Sequence, residues 1–358
     1  MNLKDEFDQP FIKQLSTNIS TQTTTFNQSL FNDDLLNNQW EKKELKERIR
    51  SITTTINVHL KLPYPKQIEV LSKIAPHYKG LKGLIFPEFV ELYGLNDIKT
   101  SFKAMELFTQ YSTAEFAIRP FIKKHPKESH QQMLTWSKSN NHHLRRLASE
   151  GGRPRLPWAP KLDTFIQDPK SNLPILENLK NDDSLYVRKS IANHLNDISK
   201  DHPNLVLTIA KKWYGKSPNT NWIVKHALRT LLKKGDKEAL SIFGLDNSHQ
   251  IQIKNIHLSH TEIKIGDYIY FQFDVINQSS KPRDVRLEYS IDYIRSNNST
   301  SKKIFQLSEF SLNPKSEKTM KRKQWFKELS TRKHYAGKHK ITIIVNGDKK
   351  ASTILILK

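Results

Sequence analysis

Apolar positions along this chain follow two rhythms. From about residue 30 to 245 they recur at the three-and-four spacing of amphipathic helices, and from about 250 to the end they alternate with polar ones. The first rhythm predicts helices over Lys43–Val58, Pro65–His77, Pro87–Tyr93, Ile98–Gln110, Thr113–Lys124 and Lys127–Ser137. It continues through His142–Ser149, Asn172–Leu179, Ser184–Ile198, Pro203–Trp213, Asn221–Lys233 and Lys237–Phe243. Pro65, Pro87 and Pro126 sit where a first helical turn tolerates a missing N–H. The second rhythm predicts about seven strands. They are Ile251–Leu258 (with a slip near Asn255), Tyr268–Ile276, Val285–Tyr293, Lys302–Leu307, Glu317–Trp325, His339–Val345 and Ser352–Leu357. Turn-forming runs such as Asn277-Gln278-Ser279-Ser280 and Asn346-Gly347-Asp348 separate them.

The helical half carries weak self-similarity. Arg119, Arg145, Arg188 and Lys225 each follow an aliphatic residue, at spacings of 26, 43 and 37 residues. Asp182 to Leu195 fits D-x-x-x-V-R-x-x-x-A-x-x-L, similar to the second helix of a HEAT repeat, whose period is ~40 residues. The expected fold is multidomain, α then β: a HEAT-like α-helical repeat solenoid over 30–247, then an immunoglobulin-like β-sandwich over 248–358. A polar N-terminal segment, 1–29, precedes them and is expected to be partly ordered. In a solenoid the four basic positions face one way. They form either a stripe for a duplex backbone or a set of helix caps and inter-repeat ion pairs.

Composition narrows the partners. The formal net charge is +22, which concentrates polyanions at the surface and puts nucleic acid ahead of anionic membrane. The sequence contains no run long enough for a membrane span and no secretory signal pattern at its start, so a cytoplasmic location is expected. The absence of cysteine excludes thiolate metal sites, iron–sulfur clusters and a thiol nucleophile. His142-His143 is the one adjacent histidine pair and reads as helix surface rather than metal ligand, so neither metal nor cofactor is expected. In the β half, Lys321-Arg322-Lys323 and Arg332-Lys333-His334 are either solvated loops or contacts to a DNA backbone.

Residues 140–160 stand apart. A helix carrying Arg145, Arg146 and Glu150 is expected to stop at Gly151-Gly152 through a left-handed turn. The prolines of Arg153-Pro154-Arg155-Leu156-Pro157-Trp158 are expected to hold an extended arm. This stretch, Leu144–Ala159, resembles the signature of the AlkC-type alkylbase DNA glycosylases, relatives of the AlkD proteins. The resemblance extends through Gly80–Leu84, Pro87–Val90, Tyr93–Leu95, Thr113–Phe121, Val187–Asp197 and Asn219–Leu232.

The resemblance implies a monomeric enzyme of base excision repair acting on double-stranded DNA. It would hydrolyse the glycosidic bond of cationic N3-alkylated bases, 3-methyladenine and 3-methylcytosine, without full base flipping. Such a base is already a good leaving group, so the need is for negative charge near the sugar and a held water. By motif position the carboxylates are Glu150, Asp197 and Glu115, with Trp158 and Arg146 toward the substrate. Arg119, Arg145, Arg153, Arg155, Arg188 and Lys225 are the candidate DNA contacts. Each has a plainer alternative. Arg146–Glu150 and Glu115–Arg119 are i,i+4 pairs of a kind common on helix surfaces, Asp197 could cap the following helix, and Trp158 could be core. The rival functions are a non-catalytic nucleic-acid-binding HEAT-repeat protein and a protein-binding scaffold with incidental charge.

Overall fold

The computed structural model describes residues 2–328 and 333–358; Arg332 of the second basic cluster lies outside them. Helices and short 3-10 turns run from Leu3 to Gln250 and strands from Ile251 to Leu357. The helix-then-sandwich fold class holds. By backbone proximity the chain forms two compact units. One is Met1–His202 with Gly215–Ala227, and the other is Pro203–Tyr214 with Leu228–Lys358. The last helices therefore group with the strands, although the change from helix to strand falls close to residue 248. Local packing explains the grouping: a Cβ on Gly235 would lie 2.9 Å from the carbonyl oxygen of Gly347, and Lys237 pairs with Asp348 at 2.6 Å.

The polar N-terminal segment is more ordered than its composition suggests. Asp8 caps the Gln9–Ser20 helix by accepting from the N–H of Phe11 at 2.9 Å. Phe11, Ile12, Leu15 and Ile19 share one buried stripe, and Asn18 reaches the hydroxyl of Tyr78 at 2.7 Å. Four apolar residues at helical spacing suffice, whatever lies between them.

Three helices of the first unit pack in succession: His142–Gly151 against Leu185–Ile198, and that against Pro218–Ala227. The repeated basic position has a structural job in two of them. Arg145 donates back to the carbonyls of Ser139 and Asn140 at 3.0 and 2.9 Å. Arg188 donates to the carbonyls of Asp182 and Asp183 at 2.8 and 2.9 Å, the same six- and five-residue offsets. Arg145 also makes a two-pronged pair with Asp182, at 2.6 and 3.1 Å, which links one repeat to the loop of the next. Of the two readings for this position, the structure shows the clamp at Arg145 and Arg188, both of which are half-buried.

In the second unit, β1 (Ile251–Leu258), β3 (Tyr268–Asn277) and β6 (Glu317–Trp325) form one antiparallel sheet in the order β1-β3-β6. The other sheet contains β2 (Glu262–Ile263), β4 (Arg283–Ile294), β5 (Thr300–Leu312), β7 (Gly337–Val345) and β8 (Asp348–Leu357). Its order is β2-β8-β7-β4-β5, antiparallel except for β2 beside β8. Alternate residues Ile269, Phe271 and Phe273 of β3 meet Tyr289, Ile291, Ile341 and Ile343 in one core. The slip near Asn255 is a bulge with Asn255 at φ 53°, after which His257 rather than Ile256 pairs with Gln272. In β4 the alternation misleads, because Arg286, Glu288 and Ser290 are buried as well. Arg286 answers the buried charge by pairing with Glu288 at 2.8 Å and Glu309 at 2.5 Å.

Candidate active site

The first unit gathers the expected acids into a row of alternating charge. Glu115, Glu150 and Asp197 are 8%, 5% and 2% exposed, far below what isolated carboxylates tolerate. Arg146 contacts Glu115 directly and approaches Glu150 at 3.8 Å. Arg153 stands between Glu150, at 2.6 Å, and Asp197, at 2.9 Å from both its Nε and its Nη2. Lys200 closes the row on Asp197 at 2.9 Å. Burial by itself would lower Arg146 and Arg153, but their carboxylate neighbours outweigh it and hold both guanidiniums above the ordinary arginine value.

The oxygens are not used equally. Both arginines approach Oε1 of Glu150. On Glu115, Thr113 and Arg146 both bond Oε2. Asp197 has both oxygens engaged, Oδ2 by Arg153 and Oδ1 by Lys200. Asp197 is thus the anchor of Arg153, while the glutamates keep an oxygen outside these contacts.

Close helix packing makes this row possible. Gly151 lies inside the helix His142–Gly151, and a Cβ there would collide with a methyl of Ile118. The expected left-handed turn at Gly151-Gly152 is corrected, since Gly152 has φ −84° and the pair serves close approach instead. The extended arm is corrected too. Residues 153–159 fold as two turns, with Leu162 donating to the carbonyl of Pro154 at 3.1 Å and Leu156 buried. The left-handed residue is Trp158, at φ 65° and 60% exposed. That conformation is costly for a residue with a Cβ. Trp158 is therefore not core, which removes its plainer alternative.

Arg119 holds the loop from inside. It is 3% exposed and donates to the carbonyls of Gly151, Arg153 and Pro160 at 3.0, 2.8 and 2.6 Å. Burial, followed by the Arg153 charge, lowers it to about 10. Arg119 and Arg153, both expected as DNA contacts, are thus buried and engaged by carbonyls and carboxylates of the chain itself. Arg155 is part-exposed and paired two-pronged with Asp201 at 2.7 and 3.2 Å. Lys225 is exposed on its helix. The rings of His142 and His143 lie 4.2 Å apart beside Tyr186.

Sequence reasoning missed several members of the site. Thr113 ties Arg146 to Glu115, and Tyr186 carries the Arg146 guanidinium 4.6 Å above its ring. Lys200, three residues after Asp197, was the one readable from spacing. His194 is buried and donates from Nδ1 to the carbonyl of Ser149 at 2.9 Å, leaving Nε2 without a partner among the described residues; burial lowers it to about 3, so it is neutral. Adjoining the row is a cavity of about 740 Å³, to which Thr113, Arg119 and Trp158 contribute.

The second unit has its own basic surface. Lys321 and Arg322 are exposed on β6, and the Lys323 ammonium lies 3.7 Å from the ring centre of Tyr268 and 4.5 Å from that of Trp325. His334, read in sequence as part of a basic cluster, is buried 5.4 Å from Tyr293 and 5.6 Å from Phe326, ring to ring. It is corrected to a core position.

Comparisons with known proteins bear on the family and the fold. Residues 107–231 match the family described as DNA alkylation repair enzyme. Residues 252–358 match the C-terminal Ig-like domain of the uncharacterised protein YhaZ. The chain is 44% identical over 351 residues to YhaZ of Bacillus subtilis (strain 168), covering 98% of each. A solved structure of the alkylpurine DNA glycosylase AlkC of Pseudomonas fluorescens, bound to DNA containing an abasic site analog, matches with a TM-score of 0.97. That match has 34% identity and covers 100% of both chains.

Proposed function

Because this chain belongs to the AlkC-type family of DNA alkylation repair glycosylases, we propose that it excises cationic N3-alkylated bases from double-stranded DNA by hydrolysis, with Glu150 as its central carboxylate. The observation that carries this reading is the row Glu115–Arg146–Glu150–Arg153–Asp197, in which two arginines bridge and orient three buried carboxyl groups.

The chemistry asks little of an acid. An N3-alkylated adenine or cytosine leaves as a neutral base once the electrons of the C1′–N bond return to its ring. The sugar is left as an oxocarbenium-like cation, which fixed carboxylates stabilise more strongly in a low-dielectric site than in water. The Glu150 oxygen outside the arginine contacts is placed to hold a water and take its proton as the new C1′–O bond forms. Glu115 adds field, and Asp197 keeps Arg153 against Glu150. Exposed Trp158 packs on the sugar or the damaged base. Lys200 is engaged by Asp197 at 2.9 Å, and the reading takes water rather than an amine as the nucleophile, which makes the enzyme monofunctional. The Lys321–Lys323 face of the sandwich contacts the duplex backbone as a second grip.

The test is chromatography of bases released from N-methylated duplex DNA by the purified chain. Free 3-methyladenine and intact abasic strands are expected. A chain that binds this DNA yet releases no methylated base over many hours is a non-catalytic binder instead.

A further inference from the structure

The cavity beside the acid row shares Thr113 and Trp158 with the site above, and the rest of its lining has no role in the mechanism. Its volume of about 740 Å³ suits a small ligand. Apolar side chains of Ile49, Leu84, Phe116 and Trp158 form part of its wall. Its carboxyl groups are Glu47, which accepts from the backbone N–H of Glu44 at 2.7 Å, and Glu88 and Glu91, one turn apart on the helix Ile85–Tyr93. Arg50 reaches Glu88 at 2.5 Å and Glu91 only at 3.8 Å, so Glu88 holds the arginine and Glu91 is left less engaged. Burial, and then the Glu88 charge, pushes Glu91 up to about 7. A carboxyl that is part-protonated at neutral pH presents an O–H donor beside a carbonyl acceptor. This pattern complements the edge of an aminopurine, where an amino donor adjoins a ring-nitrogen acceptor.

We propose that this cavity binds the free alkylated purine after excision, its ring against Phe116 and Trp158 and its amidine edge paired with the Glu91 carboxyl. The inference rests on the glycosylase reading and adds a destination for the product. Lys43, Lys46 and Lys123 also line the cavity. Their ammonium groups disfavour a cationic lesion and tolerate the neutral base that cleavage leaves. Thr113 and Trp158 belong to the cavity and to the reaction site alike, so the leaving base has a short path between them.

The experiment is equilibrium dialysis of 3-methyladenine against the full chain in the absence of DNA. Saturable one-site binding is expected. Glu91→Ala should weaken it at least tenfold, and Ser51→Trp, which fills the cavity from its lining, should abolish it, with thermal melts showing both variants folded. No saturable binding by the wild type up to the solubility of the base, or unchanged affinity in both folded variants, overturns the proposal. The release assay keeps the two readings apart. Base release without product binding removes the cavity proposal alone. Product binding without base release leaves the cavity standing and removes the glycosylase.

Discussion

Arg145 and Arg146 are neighbours in sequence and belong to different machines. Arg145 donates to two carbonyls of its own loop and to Asp182 of the next repeat. Arg146, turned about 100° around the same helix, meets Glu115, Thr113 and the ring of Tyr186. The Asp182 region is scaffold, in which the arginines donate to loop carbonyls and to the single carboxylate of Asp182. The Glu150 region concentrates like charges and answers them with arginines shared between acids. Buried like charges cost stability, and such costs gather at functional sites. The repeated arginines thus show a scaffold role, and the proposed chemistry falls to the neighbouring face of the same helix.

The comparison predicts that scaffold changes alter stability and site changes alter turnover. The largest stability effect falls on Asp182→Ala, which strands Arg145 and should cost ~2–3 kcal/mol in denaturant unfolding. Excision per folded molecule should stay near wild type; a selective loss of turnover would move Asp182 into the site. Next is acid sensitivity. His194 is neutral when folded, at about 3, and titrates at ~6.5 when unfolded, so the unfolded chain binds the extra proton between those values. Stability from this group is therefore complete above pH ~6.5 and declines as the pH falls, by about 2 kcal/mol at pH 5. His194→Asn should flatten that slope, and an unchanged slope would assign the acid sensitivity elsewhere.

Trp158→Gly should separate the two properties within one residue. Relief of the left-handed backbone should raise stability by up to ~1 kcal/mol, while loss of the exposed ring lowers excision about tenfold. Parallel losses of both would make Trp158 structural. The smallest effect belongs to the sandwich. Lys321→Ala with Lys323→Ala should reduce the slope of log affinity against log salt by about 1–2 without changing the rate on bound DNA. An identical slope would remove this face from the duplex interface.

Much of this was legible in the sequence, for identifiable reasons. Helix positions followed from apolar spacing, and even the bulge at Asn255 showed as a slip in the alternation. Glu115, Glu150, Asp197, Arg146 and Trp158 were found by motif, and the fold brings the acids and Arg146 together. The direction in which each arginine points was not legible. Arg119 and Arg153 look like surface cations in sequence, and only tertiary closure shows them sealed inside the loop. Nor was the backbone of the arm, because glycine predicts a left-handed turn by local preference while Ile118, distant in sequence, sets the true need for Gly151. The cavity was not legible as a unit, since its lining comes from segments more than a hundred residues apart, although Glu88 and Trp158 fall within stretches that carry the resemblance.

The central claim is that a carboxylate held by two arginines carries the chemistry. Its most direct test is single-turnover excision of 3-methyladenine by the Glu150→Gln variant, measured with enzyme in excess over methylated duplex and alongside the affinity for that duplex. The account predicts a rate at least tenfold below wild type, with the variant folded and its DNA affinity retained. A Glu150→Gln enzyme that cleaves at the wild-type rate would contradict it.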